Sequence, residues 1–170
     1  MATSKQRVDL VVHIGGASAE ATLVEWWKPL DSDIESQGLR FDDPAGGPWL
    51  DKEELPPALT AAGGLIVDVV DTIGTAGLAS PVLRAGYRVH IEPHPGHPTD
   101  PQALAVWSDD RVHVGYLPRD MAARVVAESQ RRRSTYGAIV MRDYRNADTH
   151  ERTAIKILMG PGDVWATEPS

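Results

Sequence analysis

The chain has 170 residues, 42% of them hydrophobic and none of them cysteine, which suits one domain, with or without an appendage, and excludes disulfides and thiolate metal sites. The net charge of −7 is uneven: residues 1–70 carry five basic and 12 acidic side chains, residues 71–170 carry twelve of each, and a pI near 5.3 argues against a strong, sequence-independent grip on duplex DNA. No apolar run approaches the roughly 20 residues that span a bilayer, and MATSKQRVDL lacks the apolar core of a signal peptide, so a soluble, cytoplasmic protein is expected.

Val8, Leu10, Val12 and Ile14 alternate with Asp9, Val11 and His13, the period of a strand, and Gly15-Gly16 breaks it. Residues 17–27 stay open between a strand that pairs back as a hairpin and a helix with Leu23, Val24 and Trp27 on one face. Residues 28–57 are acidic and rich in turn formers, and read as a loop anchored by Trp49 and Leu50. Within it, Asp51 and Glu54 open a short helix that Pro56-Pro57 stops. Trp26, Trp27 and Trp49 suit burial or cover, with base stacking as the alternative. A boundary at residues 61–64 separates an acidic N-terminal extension, 1–62, expected to pack on a second unit, 63–170.

Leu65 to Val70 is a β-branched run and predicts a strand. Tyr87, Val89 and Ile91 alternate with Arg88, His90 and Glu92 in the next. Pro93, Pro95, Pro98 and Pro101 then forbid a helix and stiffen a loop. Leu104 to Trp107 is a further apolar run, Asp109-Asp110 a turn, and Val112, Val114 and Tyr116 alternate with Arg111, His113 and Gly115. Pro118 suits the first turn of a helix whose apolar stripe is Met121, Ala122, Val125 and Val126. Arg131-Arg132-Arg133 closes that helix, either as a cap that complements its dipole or as a phosphate contact. Residues 137–144 and 153–159 read as strands, and 163–170 as a tail with Trp165 pinned to the fold. The sum is a mainly β chain with helices: a small OB- or SH3-like β-barrel of about six strands with one or two helices, plus the N-terminal extension.

The segment His97 to Val106, H-P-x-D-P-x-A-x-A-V, followed by V-G-Y-L-P-R from Val114 and a helix, resembles the HIRAN domain family. That family is typically a small β-barrel with helices, found fused to DNA-remodelling ATPases and as small bacterial and phage proteins. Its best-understood members hold a single-stranded 3′ DNA end in a pocket. The resemblance implies a non-catalytic nucleic-acid-binding module acting in DNA repair or processing, with single-stranded DNA as partner. It implies a site of His97, Thr99, Asp100, Tyr116 and Arg119, and a loop with a short helix over residues 72–85. A carboxylate at Asp100 accepts a hydrogen bond from a terminal 3′-hydroxyl and repels a phosphate there; it also fits a plain turn-closing role. Thr99 stands where the family often has an aromatic, so a stacking ring would come from elsewhere, and Tyr116 is the candidate, unless it is simply a barrel residue. Arg119 stands where the family places a basic residue at the helix start, where a helix N-terminus itself favours phosphate. The basic and aromatic residues that DNA-end binders carry near the first barrel strand are missing; Asp71 and Thr72 stand there, with Arg84 or Arg88 as substitutes.

Two rival readings remain. The acidic segment 1–62, with its tryptophans, offers a surface for a protein partner. His90, His94, His97 and Asp100 form H-x3-H-x2-H-x2-D, a set of metal-ligating types for a metal-dependent hydrolase, though the prolines withhold the helix that would align them. There is no G-x-S-x-G, Walker loop or H-E-x-x-H, so neither an enzyme nor a cofactor is expected.

Overall fold

A computed structural model describes residues 8–27, 33–41, 55–69, 84–94, 103–132, 135–146, 148 and 152–168. Among the described residues the fold is mainly β, with two helices. In chain order it runs β1 (Val8–Ile14), β2 (Ala17–Trp27), β3 (Ile34–Phe41), α1 (Pro57–Ala61), β4 (Leu65–Asp68), β5 (Arg88–Pro93) and β6 (Leu104–Ser108). It continues through β7 (His113–Tyr116), α2 (Arg119–Arg132), β8 (Tyr136–Asn146), β9 (Arg152–Pro161) and β10 (Val164–Thr167). The ten described strands join one antiparallel sheet in the order β10-β1-β2-β3-β8-β5-β6-β7, with β9 and then β4 branching from β8. Among the described residues β7 and β4 each pair on one side only, so the expected barrel is an open sheet.

Strands β8 and β9 explain how one sheet builds two cores. On β8, Ala138 and Val140 face one core while Ile139 and Met141 face the other; on β9, Ile155, Ile157 and Met159 face the first and Leu158 the second. Both faces are buried there, which is why residues 138–141 and 157–159 read as short apolar runs rather than alternating ones. The first core adds Val67, Val89, Leu104, Val106, Val114 and Leu117, and α2 closes it with Ala122 and Val125. The second is filled by Val12, Ile14, Ala21 and Leu39 of β1–β3, Leu59 of α1 and Val164 of β10.

Three expectations change. Residues 34–41 are a strand rather than part of a loop: IESQGLRF has little apolar periodicity because its middle, including Ser36, Gln37 and Gly38, pairs against the polar end of β8. A helix that was not expected, α1, begins at Pro57, while the start of the one expected from Asp51 lies outside the described residues. Proline suits the first turn, where its missing N–H would have had no intrahelical partner. Residues 164–167 are not a tail but β10, paired with β1, and Trp165 stacks on His13 at 4.8 Å. The hairpin alternative holds for residues 17–27, with Gly15 taking the left-handed φ of 57° that its turn requires. Trp49, residues 51–54, the stretch 72–83 and the side chains of Trp26 and Trp27 lie outside the described residues. Among those described, no helix is long and apolar enough to cross a membrane.

Candidate nucleic-acid interface

Four chain segments meet at one end of the β5–β6–β7 sheet. Where β5 ends, the His94 N–H donates to the Ala103 carbonyl at 2.9 Å, so the two flanks of the proline-rich loop are tied together. Beside them the Leu117 N–H donates to the Leu104 carbonyl at 3.0 Å, which fastens the end of β7 to the start of β6. One residue further Pro118 begins the turn into α2, its carbonyl accepting from the Ala122 N–H at 2.8 Å. Tyr116 is thus the last residue of β7 and Arg119 the first of α2, both next to the loop stem. His97, Thr99 and Asp100 lie outside the described residues. Arg119 is exposed, on a first turn that also holds Asp120.

A bulge decides which way Tyr116 points. Ala105 pairs with Tyr116 and Val106 with Gly115, but Trp107 pairs with His113, so β7 holds one residue more than β6 over this stretch. Simple alternation groups Tyr116 with Val114, which is in the first core. The surplus residue instead turns Tyr116 to the opposite face, beside Ala103, Ala105 and Trp107, because a bulge re-aims the side chains that follow it.

On that face the rings form a chain. Trp107 stacks on His113 with centroids 4.6 Å apart; His113 meets Tyr116 edge-on at 4.9 Å and His94 edge-on at 5.5 Å. His94 and Tyr116 lie nearly parallel, offset by 5.5 Å, and the Tyr116 hydroxyl reaches His94 Nδ1 at 2.6 Å. Tyr116 is only 8% exposed, so little of its ring is left for a base. The Arg111 guanidinium lies 5.3 Å from the Trp107 ring centroid and grips Glu92 through two hydrogen bonds of 2.9 and 3.0 Å. Arg111 holds a φ of 68°, rare outside glycine, in the tight turn between β6 and β7.

Electrostatics follow from these contacts. The Arg111 guanidinium holds the Glu92 carboxyl below its ordinary value. Burial pushes His113 down, its hydrogen bond to the Gly115 carbonyl opposes this, and the neighbouring His94 adds to the fall. Because a carbonyl only accepts, His113 Nε2 carries the proton in that 3.0 Å bond. His90, from the metal-ligand pattern, is engaged with Asp109 at 2.8 Å, and among the described residues no group of three or more His, Asp or Glu is arranged to hold a metal. Arg88, a suggested substitute for the missing basic residue, pairs with Asp163 at 2.8 Å. Of Arg131–Arg133, Arg131 pairs with Glu128 at 2.7 Å on the last turns of α2.

Trp107, His113, Arg111 and Glu92 were not among the residues the sequence singled out. Trp107 carried a signal, a large aromatic at an outward position of its strand. The partnership of Arg111 with Glu92, nineteen residues apart, carried none.

The family model for the HIRAN domain matches residues 69–159. Among solved structures, the HIRAN domain of human HLTF is 18% identical, covering 58% of this chain and 76% of that one, with a TM-score of 0.41. A protein from Lactobacillus plantarum is 19% identical, covering 58% of this chain and 95% of that one, also at 0.41. No curated protein matches significantly. The matched stretch runs from just after β4 to the end of β9 and takes in more than half of the residues, loop, ring face and helix start included: the chain belongs to the HIRAN domain family, a family of DNA-binding modules.

Proposed function

We propose that this protein is a non-catalytic cytoplasmic module that receives the 3′ end of single-stranded DNA during repair or processing. The end would sit where the proline-rich loop meets β7 and α2. The observation that carries this reading is the shared anchorage of three segments: the loop stem at His94 and Ala103, the end of β7 at Tyr116, and the start of α2 at Arg119. The loop stem, the end of β7 and the start of α2 are thereby gathered at one end of the sheet, where one ligand could meet all three.

In this reading His97, Thr99 and Asp100 approach from the loop, Asp100 accepts the terminal 3′-hydroxyl, and Arg119 meets phosphate beside the helix start. Thr99 has no ring and Tyr116 is buried, so the aromatic contribution falls to the partly exposed rings beside it, Trp107 and His94. A stacked base contributes about 1–3 kcal/mol. Charge is distributed in keeping with this. The acidic pair Asp109-Asp110 sits in the turn between β6 and β7, at the far end of the hairpin, and Glu92 is offset by Arg111.

Fluorescence anisotropy with a short labelled strand tests the proposal. A free 3′-hydroxyl is expected to bind more tightly than a 3′-phosphate or a circularised strand of the same sequence. Asp100→Ala should erase the preference for the hydroxyl. Equal binding of all three strands by the wild-type protein rejects end recognition, and an unchanged preference in the variant rejects the role of Asp100.

A further inference from the structure

The ring contacts assign different parts to Tyr116 and His94. Tyr116 is almost wholly buried, packed with Ala103 and Ala105, and its hydroxyl is committed to His94 Nδ1. Such a residue has a polar tip and no open face. His94, by contrast, is partly exposed, and its Nε2 has no hydrogen-bond partner among the described residues. Its ring is held from two directions, edge-on by His113 and alongside by Tyr116, while its own backbone N–H closes the loop stem. An imidazole fixed at one nitrogen, with no described residue bonded to the other, is a pre-oriented hydrogen-bonding group, because the bond at one ring nitrogen sets the state of the other.

From this we infer that His94 contacts the bound strand, donating from Nε2 to a phosphodiester oxygen. Tyr116 would then be a positioning residue that acts through its hydroxyl rather than a platform for a base. The inference rests on the proposed nucleic-acid function and adds a residue to its site. A phosphate oxygen is the better partner than a base edge for two reasons. Glu92, two residues before His94 in the chain, has its charge offset by the paired Arg111. The neighbouring α2 start, with Arg119, favours the same ligand chemistry. A hydrogen bond with one charged partner is strong enough that its loss reads as about tenfold or more in affinity.

The experiment is a double-mutant cycle on the full chain, read by anisotropy with a short labelled single strand bearing a free 3′-hydroxyl. His94→Ala is expected to weaken binding about tenfold or more, and His94→Gln, which keeps a donor, to recover part of the loss. Tyr116→Phe keeps the ring and removes only the hydroxyl; it should weaken binding in the wild-type background and add nothing to His94→Ala. Replacing the backbone linkages near the 3′ end one at a time with neutral methylphosphonate should reveal one linkage whose loss hurts the wild type and leaves His94→Ala unchanged. A purely structural role for His94 would not move that coupling. A silent Tyr116→Phe, additive losses in the cycle, or no linkage coupled to His94 overturns the assignment. If the wild-type protein binds no single strand at all, the function proposed above falls, and this inference with it; if the wild type binds and His94→Ala binds equally, this inference alone falls.

Discussion

His113 shows how a single residue ties the ring face to pH. Its Nε2–H is held by the Gly115 carbonyl, Trp107 covers its ring, and burial lowers its proton affinity in the folded chain. The unfolded chain therefore takes up the proton first. Folding loses nothing from this group above the ordinary histidine value of about 6.5, and stability declines as pH falls through that value toward the lower folded one. His113→Gln is accordingly expected to flatten the loss of stability between about pH 7.5 and about pH 5.5, as urea titrations at the two values will measure. An unchanged difference between wild type and variant at both values would show that burial of His113 is not felt energetically. Arg111 contrasts with it. Its pair with Glu92 is well formed but exposed on both sides, where ion pairs contribute little to stability. What that pair does is fix the guanidinium against Trp107 and offset a negative charge beside the ring face.

At the scale of elements, what was legible in the sequence depended on how each strand is buried. Strands with one face in the core, such as β1 and β5, announced themselves by alternation, and α2 by Met121, Ala122, Val125 and Val126 along one stripe. Strands β8 and β9 appeared as short apolar runs whose double burial only the fold explains. β3 was hidden because its neighbours supply its pairing while its own sequence is polar. β10 was hidden because four residues are too few for periodicity, and its partner β1 lies more than 150 positions earlier. The same difficulty concealed the orientation of Tyr116, since a bulge is a relation between two strands. Close approach leaves a clearer mark. A Cβ on Gly137 would stand 2.7 Å from the Val164 backbone nitrogen and 2.9 Å from the Gly162 carbonyl oxygen. Both are main-chain atoms that cannot swing aside. Gly137→Ala should therefore push β10 away from β8 and destabilise the protein by about 1–3 kcal/mol, measured as a lower urea midpoint at unchanged slope. A midpoint equal to that of the wild type would show that β10 is free to shift.

For the whole molecule, the telling arrangement is the common wall between the two cores. The family match covers residues 69–159, yet Ile139, Met141 and Leu158 within that stretch are sealed by Val12, Ile14, Ala21 and Leu39 from outside it. A chain shortened to residues 63–170 is expected to expose that apolar surface, bind a hydrophobic dye and lose its sharp unfolding transition, whereas the full chain unfolds in one step. A well-folded, cooperative fragment would show instead that the front strands are dispensable to it.

The extra residue in β7 makes the orientation of Tyr116 a matter of parity. Shortening that strand by one would swing the phenol of Tyr116 inward, toward the side occupied by Val114, and take its hydroxyl away from His94. A relative whose β7 lacks that surplus would keep the same residue types in the same order and still present a different surface to its ligand. Counting residues between the two strands, rather than matching letters, separates chains built to hold His94 this way from those that are not.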